Sequence, residues 1–424
     1  MDTPVLILAD AVFPVARPPI AQGAVAFQGP AILDVGPAPA LRKKFPDAGV
    51  VELPNHILLP GLVNAHCHLE LSYLHGRFAP PRHFTQWVAD LMASYPTAAE
   101  LPSVITTAAK DGMDASLRAG VTTVGDISRQ AALTRAVLRA GPLRVISFGE
   151  VVGLGTLRDQ LPRWLSAAAD RSQESPTLRT GISPHAPYTV ESSALRASVA
   201  RAVADRLPLT MHLAELLEET EFLATLGGPL GRAWDVMLRL NIIDDAIPVF
   251  PQGPIRWAHH CGLLTAPVPV LLAHVNYATD GDLDFLAQTR ASVAYCPRTH
   301  HFFGHDTLTP HRFRDMLARK INVCLATDSL ASNPDLSLLR EAQFILQHDP
   351  AFSPTTLLEI ITVNGARALG GLAGTGTIVA GGAADLAAFP IPQPRAGEPI
   401  DMLRAVLASA PAASAVWVSG RKAL

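Results

Sequence analysis

Between residues 58 and 374 the chain alternates short apolar runs with stretches of helical periodicity. That is the pattern of a parallel sheet whose strands are joined by helices. Eight runs qualify as buried strands: 57–66, 121–126, 143–150, 178–185, 207–212, 269–274, 291–296 and 322–328. Amphipathic segments such as 195–204 and 280–287 lie between them. Eight such units predict a TIM (β/α)8 barrel. A doubly wound open sheet is the alternative; it gathers its ligand groups at one switch point, whereas here polar residues end many strands. The flanks read differently. Residues 1–57 and 375–424 carry short apolar strands punctuated by Pro and Gly, which predicts a small composite β-sandwich built from both chain ends beside a barrel of 58–374. The segment 213–268 is too long for a plain connection and reads as an insertion over the barrel mouth.

Composition narrows the class. The 424 residues are 49% hydrophobic and 17% charged, enough for a large core and contrary to a disordered tail. A net charge of −3 with scattered Lys and Arg excludes a nucleic-acid or anionic-membrane partner, leaving a small-molecule substrate. No run reaches the roughly 18 apolar residues of a membrane span. The apolar run at 5–8 has no basic stretch before it and is broken by Asp10, so it reads as a strand rather than a signal peptide. The four cysteines, Cys67, Cys261, Cys296 and Cys324, form no C-x-x-C pair, which fits a reduced, cytoplasmic protein.

The chemistry gathers at the strand ends. His66 and His68 leave the first strand on one side and Cys67 on the other, placing two imidazoles together as half of a metal site. His185, His212, His274 and Asp328 end four further strands, and Glu215 follows His212 by three residues. In a barrel all these ends share one rim, where catalysis takes place. Asp126 and Glu150 would face the same rim as partners for an imidazole N–H. Cys67 and Cys324 are expected to point away from the lumen.

The combination of Pro60-Gly61-Leu62-Val63-Asn64-Ala65-His66-Cys67-His68, His212-Leu213-Ala214-Glu215, His274 and Thr327-Asp328-Ser329-Leu330-Ala331-Ser332-Asn333 resembles the amidohydrolase superfamily. More narrowly, it resembles the branch of metal-dependent deaminases and chlorohydrolases. The resemblance implies that His66, His68, His212 and Asp328 hold one divalent metal, zinc or alternatively Fe²⁺. It implies catalytic roles for Glu215, His274 and Asp328, and a family-level expectation of a homodimer. Leu178-Arg179-Thr180-Gly181-Ile182-Ser183 lacks the bridging lysine of binuclear relatives, which favours one metal. His68-Leu69-Glu70-Leu71-Ser72 resembles aminofutalosine deaminases, and Ser183-Pro184-His185-Ala186-Pro187-Tyr188 resembles a nucleoside-contacting loop.

The substrate contacts expected on this basis are His185, Trp87, Glu70, Arg298 and Ser332. Relatives acting on S-adenosylhomocysteine carry a ribose-binding glutamate two before a tryptophan. Here Thr85-Gln86-Trp87 departs from that pattern; Glu70 reads either as its replacement or as a structural carboxylate. The loop Cys296-Pro297-Arg298-Thr299-His300-His301-Phe302-Phe303-Gly304-His305 also departs. It reads either as a binder of a polar substrate group or as a stacked polar loop. An adenosine derivative such as aminofutalosine is the favoured substrate. A chlorohydrolase or cyclic amidohydrolase on the same scaffold is the alternative. A non-catalytic assembly protein is disfavoured because the ligand set is intact.

Overall fold

The computed structural model describes residues 3–80, 82–233, 246–371, 374–392 and 397–424. Its strands, numbered along the chain, form two sheets. The smaller takes β1 (Val5–Val12), β2 (Ile20–Gln28), β3 (Ala31–Pro37) and β4 (Gly49–Pro60) from one chain end. From the other it takes β13 (Leu386–Pro390), β14 (Ala415–Val418) and β15 (Arg421–Lys422). It is a mixed seven-stranded sheet, β1 pairing parallel with β4 and antiparallel with β2.

The barrel runs β5 (Leu62–Cys67), β6 (Val121–Ser128), β7 (Arg144–Val151), β8 (Leu178–Pro184), β9 (Leu209–Leu213), β10 (Val270–His274), β11 (Ser292–Tyr295) and β12 (Asn322–Leu325), in sequential order. Neighbours along it are parallel, and helices such as Ser192–Asp205 and Asp280–Leu286 intervene. This is the TIM architecture the alternation predicts. Alternate residues point inward, so Ile146, Phe148, Leu271 and Ala294 meet in an inner cluster and the barrel is a packed core rather than a pore. Cys67 joins the outer layer as expected, but Cys324 corrects the reading: it lies in the inner cluster. It stands two strand repeats before Asp328 and therefore shares its side.

No ladder pair joins β12 to β5. That seam is stitched where the strands end. The Asn64 amide donates to Thr327 Oγ1 at 2.7 Å, the Thr327 N–H donates to Asn64 Oδ1 at 3.2 Å, and the Asp328 N–H donates to the His66 carbonyl at 3.1 Å.

The apolar run 57–66 is two strands, not one. Residues through Pro60 end β4 in the small sheet, paired with β13, and β5 begins at Leu62. Gly61 is the hinge between them: its N–H donates to the Asp385 carbonyl, and a Cβ there would sit 2.1 Å from Thr122 Oγ1. Gly61→Ala is therefore expected to destabilise the fold by roughly 1–3 kcal/mol, the usual cost of overpacking. A denaturant midpoint equal to that of the parent protein would refute this.

The insertion carries helices Glu219–Thr225, Gly228–Ala233 and Pro254–His260; residues 234–245 lie outside the described residues. Leu216, Phe222 and Leu230 of the insertion pack on Tyr188 and Leu154, and Leu230 lines the cavity at the barrel mouth. Among the described residues no helix is long and apolar enough to cross a membrane.

Candidate active site

Four short strands deliver their last side chains to one point because each is buried on both faces and ends at the same rim. The imidazole centroids of His66 and His212 are 4.9 Å apart, those of His66 and His68 5.2 Å, and those of His66 and His274 5.3 Å. Nε2 of His68 and Nε2 of His212 face each other at 3.2 Å. Asp328 Oδ1 lies 3.6 Å from His68 Nε2 and 3.8 Å from His66 Nε2. Donor atoms of His66, His212 and His274 fall within 4.8 Å of one another, as do those of His66, His68 and Asp328.

Several backbone conformations here are unusual. Ala214 (φ 51°), His274 (φ 72°), Val275 (φ 52°) and Asp328 (φ 58°) all occupy the left-handed region, which costs about 1–3 kcal/mol per non-glycine residue. Val275 is β-branched, for which that region is especially unfavourable. Such strain persists only where surrounding bonds over-determine it, and they do. The Val275 N–H donates to the Leu213 carbonyl, the Tyr277 N–H to the Ala214 carbonyl, and His311 bonds the His274 carbonyl at 2.8 Å.

Protonation states follow from burial. Desolvation, then the neighbouring imidazoles, pushes His66 and His274 well below the usual histidine range; burial brings His212 down to about 4. The histidines are therefore neutral, the form that ligates metal. Burial lifts Asp328 to about 7. It also lifts Glu215 well above the carboxylate range, helped by the charges of Asp328 and Glu219.

The residues fit a cation. Both ring nitrogens of His66 and Nε2 of His274 are buried without a hydrogen-bond partner, an arrangement that is costly unless something with positive charge meets those lone pairs. The other nitrogens are tied back: His212 Nδ1 donates to the His185 carbonyl at 3.0 Å, leaving Nε2 free to face inward. Three imidazoles and a carboxylate are a donor set that suits zinc or ferrous iron.

Glu215 approaches the cluster, its Oε1 3.6 Å from His274 Nε2. It is held from behind by Glu219. That fully buried carboxylate accepts the N–H of Ala214 at 2.8 Å, of Glu215 at 2.8 Å and of Leu216 at 3.0 Å. Glu219 is not among the residues expected from the sequence. Its signal was a second glutamate four residues beyond the first.

The cluster forms the floor of a cavity of about 660 Å³. His185 and Trp87 line it as expected. His185 Nδ1 meets Thr189 Oγ1 at 2.7 Å, and Trp87 donates from Nε1 to the Ala331 carbonyl at 3.0 Å. Phe303 packs edgewise against Trp87 and Phe84, and Phe84 tilts against Trp87, making an aromatic wall that was not among the expected substrate contacts.

Three expected substrate contacts are placed differently. Glu70 reaches the cavity, but its oxygens already accept the Ser128 hydroxyl and the N–H groups of Arg129 and Gln130. The Ser332 hydroxyl donates to Asp328 Oδ2 at 3.0 Å and so steadies that carboxylate. Arg298 lies away from the cavity, its guanidinium bonded to Asp335 at 2.6 Å and Glu341 at 2.7 Å. Of the loop after β11 only Phe303 lines the cavity; His300 and His305 are buried behind it, and His301 pairs with Asp306. Asp126 accepts the Leu69 N–H rather than an imidazole. Glu150 lines the cavity, 4.0 Å from His185 Nε2.

A barrel of this order with histidines and an aspartate converging on its C-terminal rim is the architecture of metal-assisted hydrolases. Residues 57–422 match the amidohydrolase family, and the chain belongs to it: a hydrolase acting on carbon–nitrogen bonds. It is 30% identical over 364 residues to an aminodeoxyfutalosine deaminase of Deinococcus radiodurans, covering 82% of each chain. It is also 30% identical over 396 residues to a 5-methylthioadenosine/S-adenosylhomocysteine deaminase of Nitratidesulfovibrio vulgaris, covering 89% of this chain and 81% of the relative. The crystal structure of a zinc-bound adenosine deaminase from Xanthomonas campestris superposes with a TM-score of 0.82 at 23% identity, covering 99% of this chain and 92% of that one.

Proposed function

We propose that the protein is a metal-dependent hydrolytic deaminase of an aminated heteroaromatic ring, with an adenosine derivative such as aminofutalosine as the favoured substrate. The observation that carries this reading is the convergence of buried, unpartnered imidazole nitrogens and Asp328 beside Glu215 on the floor of an aromatic-walled cavity. The deaminase names of the relatives support the reaction, and the Deinococcus relative supports the substrate.

His66, His68, His212 and Asp328 would hold one divalent cation, with zinc favoured by the donor set and by the zinc-bound Xanthomonas structure. When bound, such a cation lowers the pKa of water from 15.7 to roughly 7 and so supplies a nucleophile at neutral pH. Asp328, one oxygen steadied by Ser332, accepts the proton that the attacking water gives up. His274 orients that water from a neutral ring. Glu215, whose carboxyl burial holds well above the ordinary carboxylate range, delivers a proton to the ring nitrogen next to the carbon under attack. The proton taken up by Asp328 passes to the amino group, the new hydroxyl returns its proton to Glu215, and ammonia leaves with a carbonyl in its place. Phe84, Trp87 and Phe303 supply apolar faces for the planar substrate. The four cysteines, buried and unpaired, support a reducing cytoplasmic setting.

The test is ammonia release by the purified, metal-loaded enzyme from a panel of aminopurine nucleosides, including aminofutalosine, with chloro- and alkylamino-triazines alongside. Turnover of the triazines alone would replace deamination with another leaving group on the same scaffold.

Glu219 gives a further expectation. Glu219→Ala removes three bonds that hold the Glu215 loop and should lower kcat by at least about tenfold, each bond being worth about 0.5–1.5 kcal/mol. Glu219→Gln keeps an acceptor oxygen but turns an N–H₂ toward a backbone donor, and should fall between. Steady-state kinetics with metal content measured in parallel check this ordering.

A further inference from the structure

Four carboxylates line the cavity: Glu70, Glu150, Glu215 and Asp328. Glu70 is saturated by protein donors, Asp328 is steadied by Ser332, and Glu215 faces His274. Glu150, at the end of β7, is different. Its side chain is only 11% exposed, with Arg129 Nη1 3.6 Å from one oxygen and His185 Nε2 4.0 Å from the other. Both are beyond hydrogen-bond length, and no other described residue donates to it. A carboxylate withdrawn from bulk water without donors is costly, so the cavity's occupant is the natural source of them. Two oxygens on one planar group match two adjacent hydroxyls, each donating to one oxygen.

The position agrees. The His185 ring neighbours both Glu150 and the metal cluster, its centroid 5.0 Å from that of His212 and its Nε2 4.0 Å from Glu150. The acceptor therefore stands one imidazole beyond the reacting floor on the same wall. In a purine nucleoside the sugar hydroxyls stand in that relation to the amine-bearing carbon. Arg129, its N–H pinned by Glu70 at 2.9 Å, backs the carboxylate with positive charge.

We propose that Glu150 is the specificity-determining residue for the sugar: it accepts hydrogen bonds from two vicinal hydroxyls and selects a glycosylated heteroaromatic amine over its deoxygenated analogue. The orientation of the ring in this inference rests on the deaminase reading above.

Binding and turnover test the two separately. Calorimetric titration of metal-loaded Glu215→Gln protein with adenosine and with 2′,3′-dideoxyadenosine should show roughly ten- to hundredfold tighter binding of adenosine, the worth of hydrogen bonds to a charged acceptor. Adding Glu150→Ala should bring that ratio close to one, and Glu150→Gln should leave it intermediate. A role for Glu150 in structure alone would weaken both ligands together and preserve the ratio. Equal affinities in the parent, or a ratio unmoved by Glu150→Ala, would overturn the assignment. Ammonia release by the wild-type enzyme reports on the reaction alone: none from the aminopurine nucleoside panel, aminofutalosine included, with the binding ratio intact, would overturn deamination and leave the subsite standing.

Discussion

Glu215→Gln is expected to reduce kcat by roughly 10²–10⁴-fold, the range that a positioned acid or base commands. Cation content and thermal midpoint should be unchanged. Gln fills the same volume, and the Glu219 carboxylate still holds the loop through the backbone N–H groups of Ala214, Glu215 and Leu216, so geometry is preserved while the transferable proton is lost. The sign of the pH dependence follows from the same site. Burial raises the Glu215 pKa well above the ordinary carboxylate range, so its acid form persists to higher pH than that of a solvated glutamate. The wild-type rate should fall as pH rises through that elevated value, and the variant should lack that limb. A variant retaining more than a tenth of the wild-type rate would remove Glu215 from the proton transfer.

Removing the cation should have a comparably large effect. Dialysis against a chelator is expected to abolish turnover, and one equivalent of Zn²⁺ or Fe²⁺ should restore it. Stability should change as well. A ligand present at 1,000 times its Kd stabilises the folded state by about 4 kcal/mol, so the stripped protein should melt at a lower temperature. His66→Ala should lose both the cation and activity, because His66 belongs to both groups of converging donors. Full activity in protein shown by elemental analysis to contain less than a tenth of an equivalent of any transition metal would end the metal-dependent reading.

Much of the fold was legible because central parallel strands are buried on both faces and so appear as continuous apolar runs. Seven of the eight runs correspond to barrel strands within about three residues at either end. The eighth was misread for the same physical reason: residues 57–66 are apolar throughout, yet they belong to two sheets, and only the close approach of Thr122 to Gly61 divides them. The converging ligands were legible because imidazoles at strand ends are conspicuous in an apolar chain. Arg298 was not, since its acidic partners lie 37 and 43 residues later and nothing local announces them. The aromatic wall was equally hidden. Phe84 and Phe303 are brought together from the segments after β5 and β11 by tertiary folding, which periodicity does not encode. Glu150 was visible as a rim carboxylate, but its lack of a donor is a property of three-dimensional spacing alone.

The seam between the last and first barrel strands has a consequence for how the enzyme matures. The bonds Asn64–Thr327 and His66–Asp328 that shut the cylinder belong to, or directly adjoin, the residues proposed to hold a cation. Two donors from one lip, His66 and His68, meet one from the other, Asp328. An ion gripped by both, as proposed, would act as a clasp. Its capture would then reinforce the shutting of the cylinder, and the metal-starved chain is expected to be the more protease-sensitive of the two, which limited proteolysis checks.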